Sequence, residues 1–310
     1  MEQNEALLDT ENTCISETNT ETQDIKPKKD TFRNRLDAYF KTFFKYNVPG
    51  RRARAWEIDF WRGLLIIGVT IFHVTQFLGM QELINYSTEF GMAFRDFMIK
   101  MYESNYYQGL RPFGVFFFVA LSGISCSMTR SHGKRALKFV IFTVIFQFFL
   151  GLLIWFVFHR FNVIFNIIFV LMVCTVVWWI FEATKAPDWV RLIVASVALI
   201  IGVAYYHGYY VRENITDEMI HNYFWALFVQ NDYILKISQY DFQPLFPHLG
   251  IFIFAGVIGK HLYKEKKTLT TREYPPKIFL PVLWCGKHSL LMYLSFPIYV
   301  GIVMLLAILI

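Results

Sequence analysis

Seven stretches of the chain are apolar over roughly the length of a membrane-crossing helix, with charge gathered at their ends: residues 57–79, 112–129, 137–158, 162–181, 189–207, 245–263 and 279–309. A helix needs about 20 apolar residues to cross the hydrocarbon core of a bilayer. The pattern therefore predicts an all-α fold, a polytopic transmembrane helical bundle of about seven spans, with about six to eight as the range. The sixth run is the least regular, because Pro244, Pro247 and His248 crowd its start and Gly250, Gly256 and Gly259 recur along it. The last run is long and contains Pro297, which predicts a kink or two separate pieces.

Ahead of the first span the pattern changes twice. Residues 1–30 are polar, acidic and rich in Thr, Asn and Glu, the composition of a disordered tail. In residues 31–54, Phe32, Leu36, Tyr39, Phe40 and Phe43 recur at helical spacing between basic residues. That is the pattern of a basic amphipathic helix lying on a membrane surface, held by apolar burial and anionic lipids. An acidic partner docking on the same stretch is the alternative. Residues 55–310 then form the transmembrane domain.

Composition agrees with this division. The chain has 310 residues, 55% apolar, 19% aromatic and only 17% charged, which lies outside the balance of a soluble domain. The net charge of +6 is not read as the mark of a nucleic-acid partner, because its placement follows the spans. With the N-terminus inside, 22 of the 30 lysines and arginines fall in inner segments and six in outer ones, while Arg62 and Lys287 lie within spans. This bias predicts a cytoplasmic N-terminus and, for seven spans, an external C-terminus. The four cysteines, Cys14, Cys126, Cys174 and Cys285, show neither metal-ligand spacing nor a disulfide framework and are read as packing residues.

Against this apolar background a few polar residues stand out. At about 100° per residue, Asp59, Arg62, His73 and Gln76 share one arc of the first span. Arg62 and His73 are eleven positions apart, about 16 Å of rise, so the stripe runs from the inner interface to the outer half of the bilayer. Asp59 and Arg62 lie near enough to the interface to snorkel or to pair at i, i+3, which is a purely structural alternative. His73 is deeper, and ionisable groups at such depth face a cavity or a polar partner. In the second run Arg111 stands at the outer mouth, suited to an anionic acceptor or a lipid phosphate, and Ser122, Gly123 and Ser125 follow toward the inner half. Small residues of that kind serve close helix packing or the passage of a ligand. Asp241 and His248 flank the prolines of the irregular sixth run, whose freed backbone carbonyls suit the border of a cavity. In the last run Lys287 is placed to snorkel inward and His288 to line the interior. Histidine titrates near neutrality and is the commonest general base. Nothing shows a helical His-x3-His pair or a His-Glu ligand pattern, so no metal is expected. The same histidines would also suit a proton-coupled transporter of a small polar or lipid-linked solute, although the chain shows no halving into similar repeats.

The stretch "RAWEIDFWRGLLIIGVTIFH" resembles the opening of the transmembrane acyltransferases, where a span begins with Asp and Arg-Gly and then reaches a histidine. Together with "FFFVALSGISCSMTRSHGKRALK", "DFQPLFPHLGIFIFAGVIGK" and "GKHSLLMYLSFPIY", residues 54 to 305 resemble the heparan-alpha-glucosaminide N-acetyltransferase catalytic-domain family, a relative of the large family that O-acetylates cell-surface polysaccharides. The resemblance implies a multi-pass protein of the bacterial plasma membrane. It implies transfer of an acetyl or related acyl group from cytosolic acetyl-CoA, used as donor substrate, to an amino or hydroxyl group of a cell-surface or lipid-linked glycan. On this reading His73 is the catalytic base or acyl carrier, Arg62 anchors the donor and Asp59 orients Arg62. Arg111, Asp241 and His248 bind the acceptor, with Ser122, Ser125 and His288 lining its path. The partners are acyl-CoA, glycan and membrane lipids, with no nucleic acid, and a homodimer is compatible.

Overall fold

A computed structural model describes residues 55–79, 88–158, 166–210, 243–270, 274–295, 298–299 and 302–303. The tail, the expected interfacial helix and Asp241 lie outside the described residues. Those described contain helices and no strand. In order they are α1 Trp56–Gly79, α2 Glu89–Glu103, α3 Asn105–Ser127, α4 His132–Phe158, α5 Ile167–Ala183, α6 Asp188–Tyr210, α7 Leu245–Leu262, a 3₁₀ turn Lys277–Phe279, α8 Leu280–Lys287 and α9 Ser289–Leu294.

The helix ends follow local chemistry more than hydropathy. Ser104 closes α2 and opens α3, its hydroxyl accepting from the Tyr107 N–H at 3.3 Å. The second apolar run is therefore helical from Asn105, seven residues before its expected start, and Pro112 lies inside the helix. Asn166 caps α5 by accepting from the Phe169 N–H at 3.0 Å, so that helix starts later than the apolar run does. α2 is amphipathic and polar enough that apolar runs alone do not reveal it. The irregular start expected of the sixth run is present: Phe246 has extended backbone angles within the first turn of α7. The last run breaks at His288, where φ and ψ of −110° and 26° separate α8 from α9, while Pro297 lies outside the described residues.

Three of these helices, over Trp56–Gln76, Asn105–Ser127 and Leu245–Leu262, are long and apolar enough to cross a membrane. α7 is the innermost, packed chiefly on α6 and α3 and also on α5. Glycines at the crossings permit this. A β-carbon on Gly123 of α3 would overlap the carbonyl oxygen of Phe252, one on Gly256 would press on the Trp178 ring of α5, and one on Gly250 would meet Leu199 and the Ala195 carbonyl of α6. Val119, Trp178, Phe252 and Ile253 fill the centre. α1 packs on α8 where Gly63 and Gly286 meet backbone to backbone. By contrast Leu137, Ile141, Val144 and Phe148 of α4, and Ile193, Val197 and Ile200 of α6, are half or more exposed at helical spacing. Apolar stripes of that extent suit lipid rather than water.

Candidate functional site

The sequence stripe lies along α1, and α3 runs antiparallel beside it. The cluster of Ala55, Ile58 and Tyr263 packs with Ile124 and Met128 at one end, and the Phe72 ring stacks on Tyr107 at the other, centroids 5.0 Å apart. This register gives the site two ends, with Asp59 and Arg62 at the first and His73 and Arg111 at the second.

The first end is basic. Asp59 is buried, and the charges of Arg135, of Glu182 in the opposite sense, and of Arg62 all reach Cys126 of α3. Arg135 donates to the Ser125 carbonyl at 2.9 Å and to the Thr129 hydroxyl at 2.6 Å, while Lys266 donates to the Thr129 carbonyl at 3.4 Å. His132 lies among them; burial holds its imidazole below the ordinary histidine value, against the opposing pull of Glu182. The segment after α7 is tied to α1 by Glu57, which accepts from the Thr268 hydroxyl at 2.6 Å and from the Leu269 N–H at 2.8 Å. Cations from three separate elements thus meet around the end of α3, a donor set suited to the phosphates of a nucleotide-containing substrate.

The second end is aromatic. Arg111 lies over the Phe72 ring, 5.1 Å from its centroid, a cation–π contact. Tyr102 of α2 closes on Phe72 and Tyr107 at 5.5 and 6.3 Å. His73 follows Phe72 directly, their rings edge to face at 5.8 Å. An imidazole and a guanidinium are therefore held on neighbouring helices at the same depth, with stacked rings fixing both.

The remaining expected residues divide. Ser122 is buried and donates to the Phe118 carbonyl of its own helix at 2.8 Å, beside the Gly123 crossing, which is a packing arrangement. Ser125 contributes its carbonyl to Arg135. His288 sits at the break between α8 and α9 with its ring 5.2 Å from Trp284. His248 is buried under the Phe116 ring at 5.2 Å. Phe116 lies five residues further along α3 than Arg111, so His248 sits about 7 Å deeper than the arginine with which the sequence grouped it.

Sequence reasoning missed a third cluster. Arg191 is almost fully buried in α6, paired to Glu182 at 2.6 Å and lying over Trp178 at 4.9 Å. Beside it Asp188 receives Lys260 at 2.8 Å and His261 at 3.0 Å from the end of α7. An arginine just inside an apolar run, flanked by Glu182 and Asp188, was the available signal. The Lys260 ammonium, aided by His261, holds the Asp188 carboxyl below its ordinary value. A depressed carboxylate stabilises above its unfolded pKa and loses that contribution as pH falls through the folded one. Asp188→Asn should therefore cost about 1 kcal/mol or less at pH 7, since the pair is partly exposed. Thermal unfolding across pH should show the gap from wild type closing below about pH 4.

Residues 54–298 match the family described as heparan-alpha-glucosaminide N-acetyltransferase, catalytic. The chain belongs to this family. Comparison with curated proteins and with solved structures gives no match. The match to the heparan-alpha-glucosaminide N-acetyltransferase family takes in all of α1 to α9, and with them both ends of the site. Membership, together with the three apolar helices, makes the chain a membrane protein of an acetyltransferase family whose name specifies a glycan acceptor.

Proposed function

We propose that the chain is a multi-pass membrane acyltransferase that moves an acetyl group from cytosolic acetyl-CoA to an amino or hydroxyl group of a glycan on the external side. The observation that carries this reading is the pairing of α1 with α3. One end of the pair gathers Arg62 and Arg135, with Lys266 close by, and the other end holds His73 beside Arg111. Phosphates of CoA need cations on the side where the donor is found, and the lysine and arginine bias puts the first end in the cytoplasm. On this reading α4, α5 and α6, 27, 17 and 23 residues long, also span, which brings the count to six. Arg62 and Arg135 anchor the donor, Asp59 orients Arg62, and His73 handles the acyl group as base or carrier. Arg111, with Asp241 and His248, takes up the acceptor, and a water-poor path between the ends limits hydrolysis of the acyl group.

The test is incubation of purified protein with radiolabelled acetyl-CoA and a panel of aminosugars and glycans. Label should pass to an acceptor, and Arg135→Gln should raise the KM for acetyl-CoA about tenfold, the loss of one charge-assisted contact, with little change in kcat. If no acceptor is labelled while reconstituted vesicles take up a small solute, the chain is a transporter and the acyltransferase reading is wrong.

A further inference from the structure

His248 carries an unusual hydrogen-bonding arrangement. Its Nδ1 lies 2.6 Å from the Pro244 carbonyl oxygen. A carbonyl only accepts, so Nδ1 bears the proton, and the tautomer leaves Nε2 as a bare lone pair. That Nε2 is buried and has no hydrogen-bond partner among the described residues. The residue as a whole is 1% exposed, its ring under Phe116 of α3. Pro247, next to it, is pressed against Gly202 of α6, where a side chain would overlap the proline ring. The imidazole is thus oriented by a carbonyl at one nitrogen and covered by Phe116 of α3, and its second nitrogen is unpaired among the described residues. A buried acceptor left unsatisfied costs the desolvation of its lone pair with nothing in return. Packing alone would have been served by an apolar side chain.

Depth decides what the lone pair is for. Along α3, Phe116 lies between Arg111 and the Ser125–Thr129 segment that holds Arg135. In depth His248 therefore lies between the donor end and the acceptor end. We infer that His248 is a catalytic base whose Nε2 takes the proton from the acceptor's amine as that amine attacks the acetyl carbonyl carbon. This rests on the acyltransferase reading above and assigns a separate step to a second imidazole. In the step a C–N bond forms and the bond from the acetyl carbon to its leaving group breaks. The electron pair leaves with the CoA sulfur, or with the His73 imidazole if the acetyl is first carried there. The amine proton passes to Nε2 and is later lost to water, and a CoA thiolate is protonated by water.

Two variants separate this role from a structural one. His248→Asn keeps an amide N–H where Nδ1 was, so the bond to the Pro244 carbonyl survives while Nε2 is removed. His248→Gln puts an amide near the Nε2 position that accepts a hydrogen bond but takes up no proton. With the full-length protein, acetyl-CoA as donor and methyl α-glucosaminide as acceptor, each folded variant should lose about 100-fold or more in kcat, the scale of a missing general base. The affinity for acetyl-CoA should not change. A structural histidine predicts the reverse: normal transfer in His248→Asn. Wild-type transfer rates in either folded variant overturn the assignment, as does unfolding of both, which would make the imidazole a packing group. Absence of transfer in the wild type with every aminosugar tried sinks the acyltransferase reading itself, and the base with it.

Discussion

His73→Ala is expected to remove acetyl transfer, by about 10²- to 10⁴-fold, while leaving the melting temperature unchanged. The expectation rests on position. His73 is partly exposed on α1, so its removal opens no core cavity, and the neighbouring stack of Phe72 on Tyr107 with Arg111 above persists without it. Charged or polar groups at such depth in a spanning helix are costly and are retained for what they do. The variant is compared with wild type by label transfer from acetyl-CoA and by exchange of label between CoA and acetyl-CoA. Loss of both marks His73 as the carrier of the acetyl group. Loss of transfer with exchange intact marks it as a base. Full activity in the variant would remove His73 from the mechanism and leave the arginine at the other end of α1 without a partner step.

The sequence told apart what belongs to one helix and failed on what is assembled from several. The stripe of Asp59, Arg62 and His73 was legible because helical periodicity alone places the three on one face, and α1 is indeed continuous from Trp56 to Gly79. The irregular start of α7 was legible from its prolines. Apolar runs gave the long helices to within a few residues at most ends. They misplaced the starts of α3 and α5 because the hydroxyl of Ser104 and the amide of Asn166 set those starts, and hydropathy does not register a cap. α2 was missed because it is amphipathic. The lysine and arginine bias assigned the basic loops 130–138 and 260–267 to the inner side, but the contacts of Arg135 and Lys266 at Thr129 form only when α3, α4 and the segment after α7 are in place. The broken backbone around His248 was legible from the prolines beside it. Its fixed tautomer depends on a carbonyl four residues back in a non-helical turn, and that is a property of the fold.

Gly286→Ala should be the most damaging glycine-to-alanine change among the described residues. Glycine in the interior of a helix such as α8 ordinarily costs about 0.5–1 kcal/mol relative to alanine, so the substitution would be favourable if space allowed. Space does not allow it. A β-carbon there would overlap the backbone carbonyl of Asp59, and one on Gly63 would overlap the carbonyl of Val282, so the two helices cross with no side chain between them. Backbone cannot rotate away as a side chain can, and the whole of α8 must move out from α1. Overpacking of this kind costs about 1–3 kcal/mol or more, enough to outweigh the helix-propensity gain. The same displacement shifts Asp59 and Arg62 relative to Lys287 and His288, so transfer should fall along with stability. Gly63→Ala should behave alike, and the double variant should be less than additive because both methyls open one crossing. Gly68 lies about one and a half turns further along α1. A β-carbon at Gly68 would meet nothing within 4 Å, so Gly68→Ala should be neutral or stabilising. Thermal unfolding in detergent distinguishes the pair: if Gly286→Ala melts as high as Gly68→Ala, α1 and α8 do not cross at Gly63 and Gly286, and the arrangement of the donor end must be redrawn.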